Sequence, residues 1–295
     1  MTKMIEVIGL KKNFKHTQAL KDVTFHVDAG EVVGYIGPNG AGKSTTIRIL
    51  LGILHASGGE AKIFGKDVWK DALKIHEKIA YVPGDVNLWP NLTGGQVIDL
   101  FMKLQGSSAN QARREELIQK FELDPKKKAR SYSKGNRQKI ALIAALASDA
   151  DLYIFDEPTS GLDPLMEAVF QEEVEKIKAQ GKAILLSSHI LSEVERLCDR
   201  VAIIRQGEII EEGTLEDLRH LTRFQYHVET KEEPIGLKDV CAVHDLVITG
   251  KKAVFQAESD KINEILQAIM PYHVVKLESQ PPTLEELFMR HYEGK

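Results

Sequence analysis

The chain has 295 residues, 43% of them hydrophobic and 28% charged, with a formal net charge of −4. That length holds one large domain and a small one, and the slight acidic balance gives no basic excess for a nucleic-acid partner. Two cysteines without metal or redox spacing, Cys198 and Cys241, suit a reducing compartment, no secretory leader precedes the first strand pattern, and no apolar run reaches the roughly 20 residues of a membrane span.

Ile5-Glu6-Val7, Val23 to Val27 and Val32 to Ile36 read as strands. Phe14 lies between the first two and suits either an adenine-stacking aromatic or a hydrophobic plug. The third strand runs into Gly37-Pro38-Asn39-Gly40-Ala41-Gly42-Lys43-Ser44, which fits the G-x-x-x-x-G-K-[ST] phosphate-binding loop. Thr45 to Leu51 follows with helical spacing. Strand, glycine-rich loop and helix together aim backbone N–H groups and a helix N-terminus at an anion. Lys43 would reach the β- and γ-phosphates of a nucleoside triphosphate, and Ser44 would place its hydroxyl on Mg²⁺.

Glu60 to Gly65 is a short strand, and Ile79 to Val82 is another that stops at Pro83-Gly84. From Thr93 to about Ala150 the pattern is helical, with Val97, Leu100, Phe101 and Leu104 on one face and a second helix over Asn110 to Phe121. The basic stretch Lys126-Lys127-Lys128-Ala129-Arg130 suits a solvated face better than a lipid or phosphate contact. Ser133 and Gly135 open a helix that turns Ile140, Ile143, Ala144 and Ala147 inward; N-capping accounts for them locally, and an anion contact is the alternative.

Leu152 to Phe155 is a buried strand ending in Asp156 and Glu157. Two carboxylates make no sense as core, because unpaired buried charge is costly. Beside a phosphate loop they make chemical sense: Asp156 to hold Mg²⁺ and Glu157 as general base. Ala183 to Ser188 is a further strand ending at His189, which by itself has an ordinary structural reading. Gln206-Gly207 marks a hairpin. Beyond about Phe224 the order reads strand, strand, strand, helix, strand, helix. Ile262, Ile265, Leu266 and Ile269 form the stripe of one helix, and Thr283 with Glu286 a capping box for the last.

Taken together, these motifs resemble the nucleotide-binding subunit of an ATP-binding cassette (ABC) transporter, over about residues 4 to 220. The resemblance implies an α/β P-loop NTPase core with an antiparallel β subdomain and a helical subdomain. Its domain (1–220, helical part about 86–150) would be followed by a small α+β appendage (221–295). Phe14 would stack on adenine, Gly37 to Ser44 with Thr45 would be Walker A, and Leu152 to Glu157 would be Walker B. Lys43, the general base Glu157 and the switch histidine His189 would be catalytic; Ser44 and Asp156 would bind Mg²⁺. Ser133 and Gly135 would belong to the signature loop and Asp163 to the D-loop, both at the nucleotide. The implied ligands are ATP and Mg²⁺. The implied assembly is a head-to-tail homodimer with ATP sandwiched between chains, held on the cytoplasmic face of the membrane by a separate permease.

Two positions depart from the family pattern. Lys134 and Asn136 stand in the signature where Gly and Gln are usual, and Gly84 stands where a glutamine normally touches Mg²⁺ and the permease. The C-terminal segment from Gln280 to Phe288 is similar to the tail of single-cassette subunits of drug and antibiotic exporters. An importer subunit, or a soluble cassette acting on ribosomes or nucleic acid, is the alternative. A single cassette and the absence of a long coiled-coil insertion count against the soluble one.

Overall fold

The computed structural model describes residues 2–104, 110–220, 223–258 and 261–280. The elements of the first part are β1 (Lys3–Phe14), β2 (Thr17–Asp28), β3 (Val32–Ile36), α1 (Lys43–Leu50), β4 (Gly58–Ile63), β5 (Lys66–Asp67), α2 (Ala72–His76) and β6 (Ile79–Val82). Then come α3 (Gly94–Leu104), α4 (Gln111–Lys120), α5 (Lys134–Leu146), β7 (Leu152–Asp156), α6 (Pro164–Ala179), β8 (Ala183–Ser188), α7 (Leu191–Leu197), β9 (Arg200–Arg205) and β10 (Glu208–Thr214). The last are α8 (Leu215–His220), β11 (Phe224–Thr230), β12 (His244–Thr249), β13 (Lys252–Ala257), α9 (Ile262–Ile269) and β14 (Val274–Gln280).

The chain forms two compact units that divide between Glu212 and Gly213, inside β10. The sequence reading drew the boundary after residue 220; the structure groups α8 with the C-terminal unit.

The first unit is built on a ten-stranded sheet in the order β5-β4-β1-β2-β10-β9-β3-β8-β7-β6. One end, β5 to β2, is antiparallel; β9, β3, β8, β7 and β6 run parallel. The parallel strands are near-continuous apolar runs because both their faces are covered: every residue of β3, β7 and β8 is buried. Phe25 stacks on Tyr35 with ring centroids 5.0 Å apart, which joins the two kinds of sheet in one core.

Helices α3, α4 and α5 occupy the region assigned to a helical subdomain. The buried side of α3 is Gly94, Gly95, Val97, Ile98 and Met102, so the stripe read from sequence is only partly right. Leu104 is 71% exposed, because Phe101 and Leu104 line a groove instead of the core. That groove, of about 370 Å³, is also bordered by Ile53, Val86 and Asn87.

The second unit is a four-stranded antiparallel sheet, β12-β13-β11-β14. Ile265 and Ile269 of α9 are buried with Tyr226, Val228, Leu237 and Phe255 in a separate apolar core. The expected order of strands and helix holds as far as β14. The capping box at Thr283 and Glu286, and the helix it would begin, lie outside the described residues.

Candidate active site

Because β3, β7 and β8 are parallel neighbours, their C-terminal ends lie along one edge of the sheet, the usual place for a ligand in an α/β fold. The loop from Gly37 to Gly42 leaves β3 there and enters α1, whose first turn has no side-chain cap. Two of its glycines are sterically required. A Cβ on Gly37 would lie 2.2 Å from the Ile204 carbonyl oxygen, and Gly42, at φ 119°, would bring one to 2.6 Å from Leu20 Cδ2. The buried Thr46 anchors the turn below, its hydroxyl donating to the Gly42 carbonyl at 3.1 Å and pairing with Tyr35 Oη at 3.0 Å.

Lys43 is almost wholly buried, and its Nζ donates to the carbonyls of Gly37 at 2.6 Å and Pro38 at 3.3 Å. Burial lowers its pKa, and the nearby Glu157 and Asp156 carboxylates act against that. Ser44 is exposed and Thr45 half-buried. A cavity of about 150 Å³ lies over the loop, lined by loop residues between Pro38 and Thr45, by Ala19 of β2 and by Glu157.

At the end of β7, Asp156 Oδ1 accepts a hydrogen bond from Ser187 Oγ at 2.5 Å, and the Glu157 amide donates to the Ser187 carbonyl at 2.9 Å. Glu157 has φ 49°, left-handed backbone that costs a non-glycine residue about 1–2 kcal/mol and is found where the surroundings impose it. Its Oε1 lies 3.4 Å from Nδ1 of His189. Lys43, Asp156, Glu157 and His189 thus come together at one sheet edge. Hard oxygen donors suited to Mg²⁺ are the Ser44 hydroxyl and the Asp156 carboxylate. Among the described residues there is no group of three or more His, Cys, Asp or Glu side chains placed as a metal cage, so phosphate oxygens and water would complete such a site.

Ser133, Gly135, Asp163 and Phe14 are not among the residues lining the loop cavity. Phe14 is 42% exposed with Lys12 Nζ 4.9 Å from its ring centroid, so it is not a plug between strands. Ser133 caps α5 by accepting from the Asn136 amide at 3.3 Å, and Asp163 caps α6 by accepting from the Met166 amide at 3.0 Å. The two capped loops touch: a Cβ on Gly135 would lie 2.2 Å from the Gly161 carbonyl oxygen, and Lys134 Nζ donates to Ser160 Oγ at 2.8 Å.

Gly84 sits beside the end of β7, its missing Cβ 3.1 Å from the Asp156 carbonyl oxygen and 3.7 Å from Glu157 Cβ. Next to it, the Pro83 carbonyl accepts from Gln138 Nε2 of α5 at 3.5 Å. Sequence reasoning gave no site role to Ala19, to Ser187 of the strand before His189, or to Gln138 of the signature segment; each reaches the site through tertiary contacts.

Comparison with known proteins accords with this geometry. Residues 20–160 match the ABC transporter family model, and residues 213–292 match the C-terminal domain of ATP-binding proteins like DrrA1-3. The chain is 37% identical to the ABC transporter ATP-binding protein NatA of Bacillus subtilis over 69% of this chain and 85% of that one. It is 31% identical to the linearmycin resistance ATP-binding protein LnrL of the same organism over 97% of both. Among solved structures, it superposes with a TM-score of 0.66 and 26% identity on a dimeric, post-hydrolysis ATP-binding cassette bound to ADP and Pi, covering 72% of this chain and 99% of that one. A phosphate loop, two carboxylates and a histidine on one edge of such a sheet, together with a relative matched over 97% of both chains, place the chain in the family of ATP-binding, ATP-hydrolysing subunits of ABC transporters.

Proposed function

We propose that this chain is the ATPase of an exporter whose permease is a separate polypeptide, and that Lys43, Asp156, Glu157 and His189 carry the hydrolysis. The observation that carries the reading is the meeting of Lys43 and Glu157 at the loop cavity, with His189 3.4 Å from Glu157 and Asp156 next to it at the end of β7. Lys43 neutralises charge on the β- and γ-phosphates once its Nζ leaves the loop carbonyls that now hold it. Glu157 accepts the proton of a water whose oxygen attacks the γ-phosphorus as the bond to the β–γ bridging oxygen breaks. His189, held beside Glu157, contacts the γ-phosphate. Ser44 and Asp156 would hold Mg²⁺, which supplies charge neutralisation on the phosphates when bound.

Ser133, Gly135 and Asp163 do not line the loop cavity and sit on two loops that touch each other; this reading has them act on the nucleotide of a second copy. A site completed in this way exists only in the closed homodimer, so ATP shifts the population toward closure and hydrolysis releases it. The apolar groove at Ile53, Val86, Phe101 and Leu104 supports docking of a permease segment, since exposed apolar surface of this kind marks interaction sites. No helix among the described residues is long and apolar enough to cross a membrane; in this reading a separate permease would hold the chain on the cytoplasmic face. Likeness to a resistance protein and to a DrrA-like C-terminal domain supports drugs, antibiotics or similar compounds as cargo.

Affinity capture from gently solubilised membranes, read by mass spectrometry, tests this. A polytopic membrane protein recovered in stoichiometric amount is the expected result. Recovery from the soluble fraction alone, with ribosomes or DNA-bound factors attached, would overturn the transporter assignment.

A further inference from the structure

Glu193 of α7 is a buried carboxylate that none of the roles above employs. It is 5% exposed. Its Oε2 accepts from Ser188 Oγ at 2.7 Å, and Ser188 Oγ in turn accepts from the Ile190 amide at 3.0 Å. These two bonds bracket His189. The other carboxylate oxygen, Oε1, is buried without a hydrogen-bond partner. Burial pushes the Glu193 pKa up, while the hydrogen bond from Ser188 pulls it down. The helix that carries Glu193 is pressed onto β3, for a Cβ on Gly34 would lie 2.7 Å from Val194 Cγ1.

A carboxylate with one oxygen unsatisfied in the interior is expensive, and an apolar side chain of similar volume would fill the same place without that cost. What an apolar residue cannot do is accept the Ser188 hydroxyl, which in turn takes the Ile190 amide on the far side of His189. We propose that Glu193 is a positioning residue for ATP hydrolysis: through Ser188 its carboxylate braces the loop bearing His189, and so sets where the His189 side chain stands beside Glu157. The inference rests on the assignment of Glu157 and His189 to hydrolysis.

The test is steady-state ATPase kinetics and thermal melting of the full-length chain with Glu193→Leu, Glu193→Gln and Ser188→Ala, and Glu157→Gln alongside. Glu193→Leu and Ser188→Ala are expected to lower kcat about tenfold or more with KM for ATP within about twofold; Glu193→Leu keeps an undiminished melting temperature, whereas Ser188→Ala melts lower because it leaves the buried carboxylate without a partner. Glu193→Gln keeps an acceptor for Ser188 and is expected to recover most of kcat. Glu193→Leu combined with Ser188→Ala in one chain should fall no further than either single change. Wild-type kcat in Glu193→Leu, a Gln variant no better than the Leu variant, or kcat falling only in step with folded protein would each overturn the proposal. Wild-type turnover in Glu157→Gln would instead remove the assignment beneath it.

Discussion

At the residue scale, the site separates holding the nucleotide from hydrolysing it. Lys43 is the only lysine whose Nζ is buried against the carbonyls of the phosphate loop among the described residues, so Lys43→Ala should weaken ATP binding at least about tenfold, measured by calorimetric titration; unchanged affinity would contradict the nucleotide site. Glu157→Gln removes a proton acceptor and preserves shape. It should bind ATP and lower kcat by about 10² or more, with ATP-trapped dimer visible by size-exclusion chromatography. Gly84 has room for little more than its hydrogen, but its φ lies outside the left-handed region and only the Asp156 carbonyl oxygen is tight against it. Gly84→Gln should therefore fold, at a cost of about 1 kcal/mol read by thermal melting; a collapsed fold would contradict that placement. The phosphate loop was legible in the sequence because its geometry is local, a run of consecutive positions whose backbone does the binding. The left-handed backbone of Glu157 was not, since it is imposed by the Ser187 carbonyl of a strand thirty positions on.

At the element scale, α4 is fastened to α6 by one buried carboxylate. Glu173 of α6 is fully buried and meets Arg113 and Lys120 of α4, the latter at 2.8 Å, together with Lys176 of its own helix at 2.9 Å. Burial by itself would raise its pKa, but hydrogen bonds from Lys120, Lys176 and Arg113 outweigh that and hold it below the usual glutamate value of 4.5. A native pKa lowered in this way stabilises the fold fully above the unfolded-state value, and that stability drains away as pH falls through the native one. Melting temperature should thus decline as pH drops below about 4.5, and Glu173→Gln should be less stable at pH 7 by about 3 kcal/mol with a shallower acid limb. An unchanged acid limb would show that the cluster contributes nothing to the coupling of the two helices. Sequence periodicity found α4, with Asn110 serving as its cap, but gave no hint that Glu173 joins it to α6. A glutamate on a helix reads as solvent-facing until its neighbours in space are known. The same holds for the apolar side of α3, where Phe101 and Leu104 obey helical spacing yet face a groove.

At the scale of the whole molecule, each unit has its own apolar core, which predicts separable unfolding. Phe255 is buried and stacks on Tyr226 with centroids 5.4 Å apart. Phe255→Ala should destabilise the C-terminal unit by about 3–5 kcal/mol, and calorimetry should show that unit melting first while ATP affinity stays within about twofold. Simultaneous loss of ATP binding would contradict independence. The two-part organisation and the order of strands were readable from pattern and turn residues, whereas the strand order across the sheet was not, because pairing between distant segments leaves no mark in either one. That strand order governs when the protein can first do anything. The phosphate loop is complete in sequence at Ser44, but the strand that presents it pairs with Ile184 on one side and Arg200 on the other, and Ile204 walls Gly37. A ribosome adding ~5–20 residues per second needs roughly ten to thirty seconds more to deliver those partners. Throughout that interval the nascent chain carries an all-apolar β3 with no neighbours on its pairing edges and a loop that ATP cannot yet stabilise, so nucleotide enters as a ligand of the finished sheet and is no help in building it.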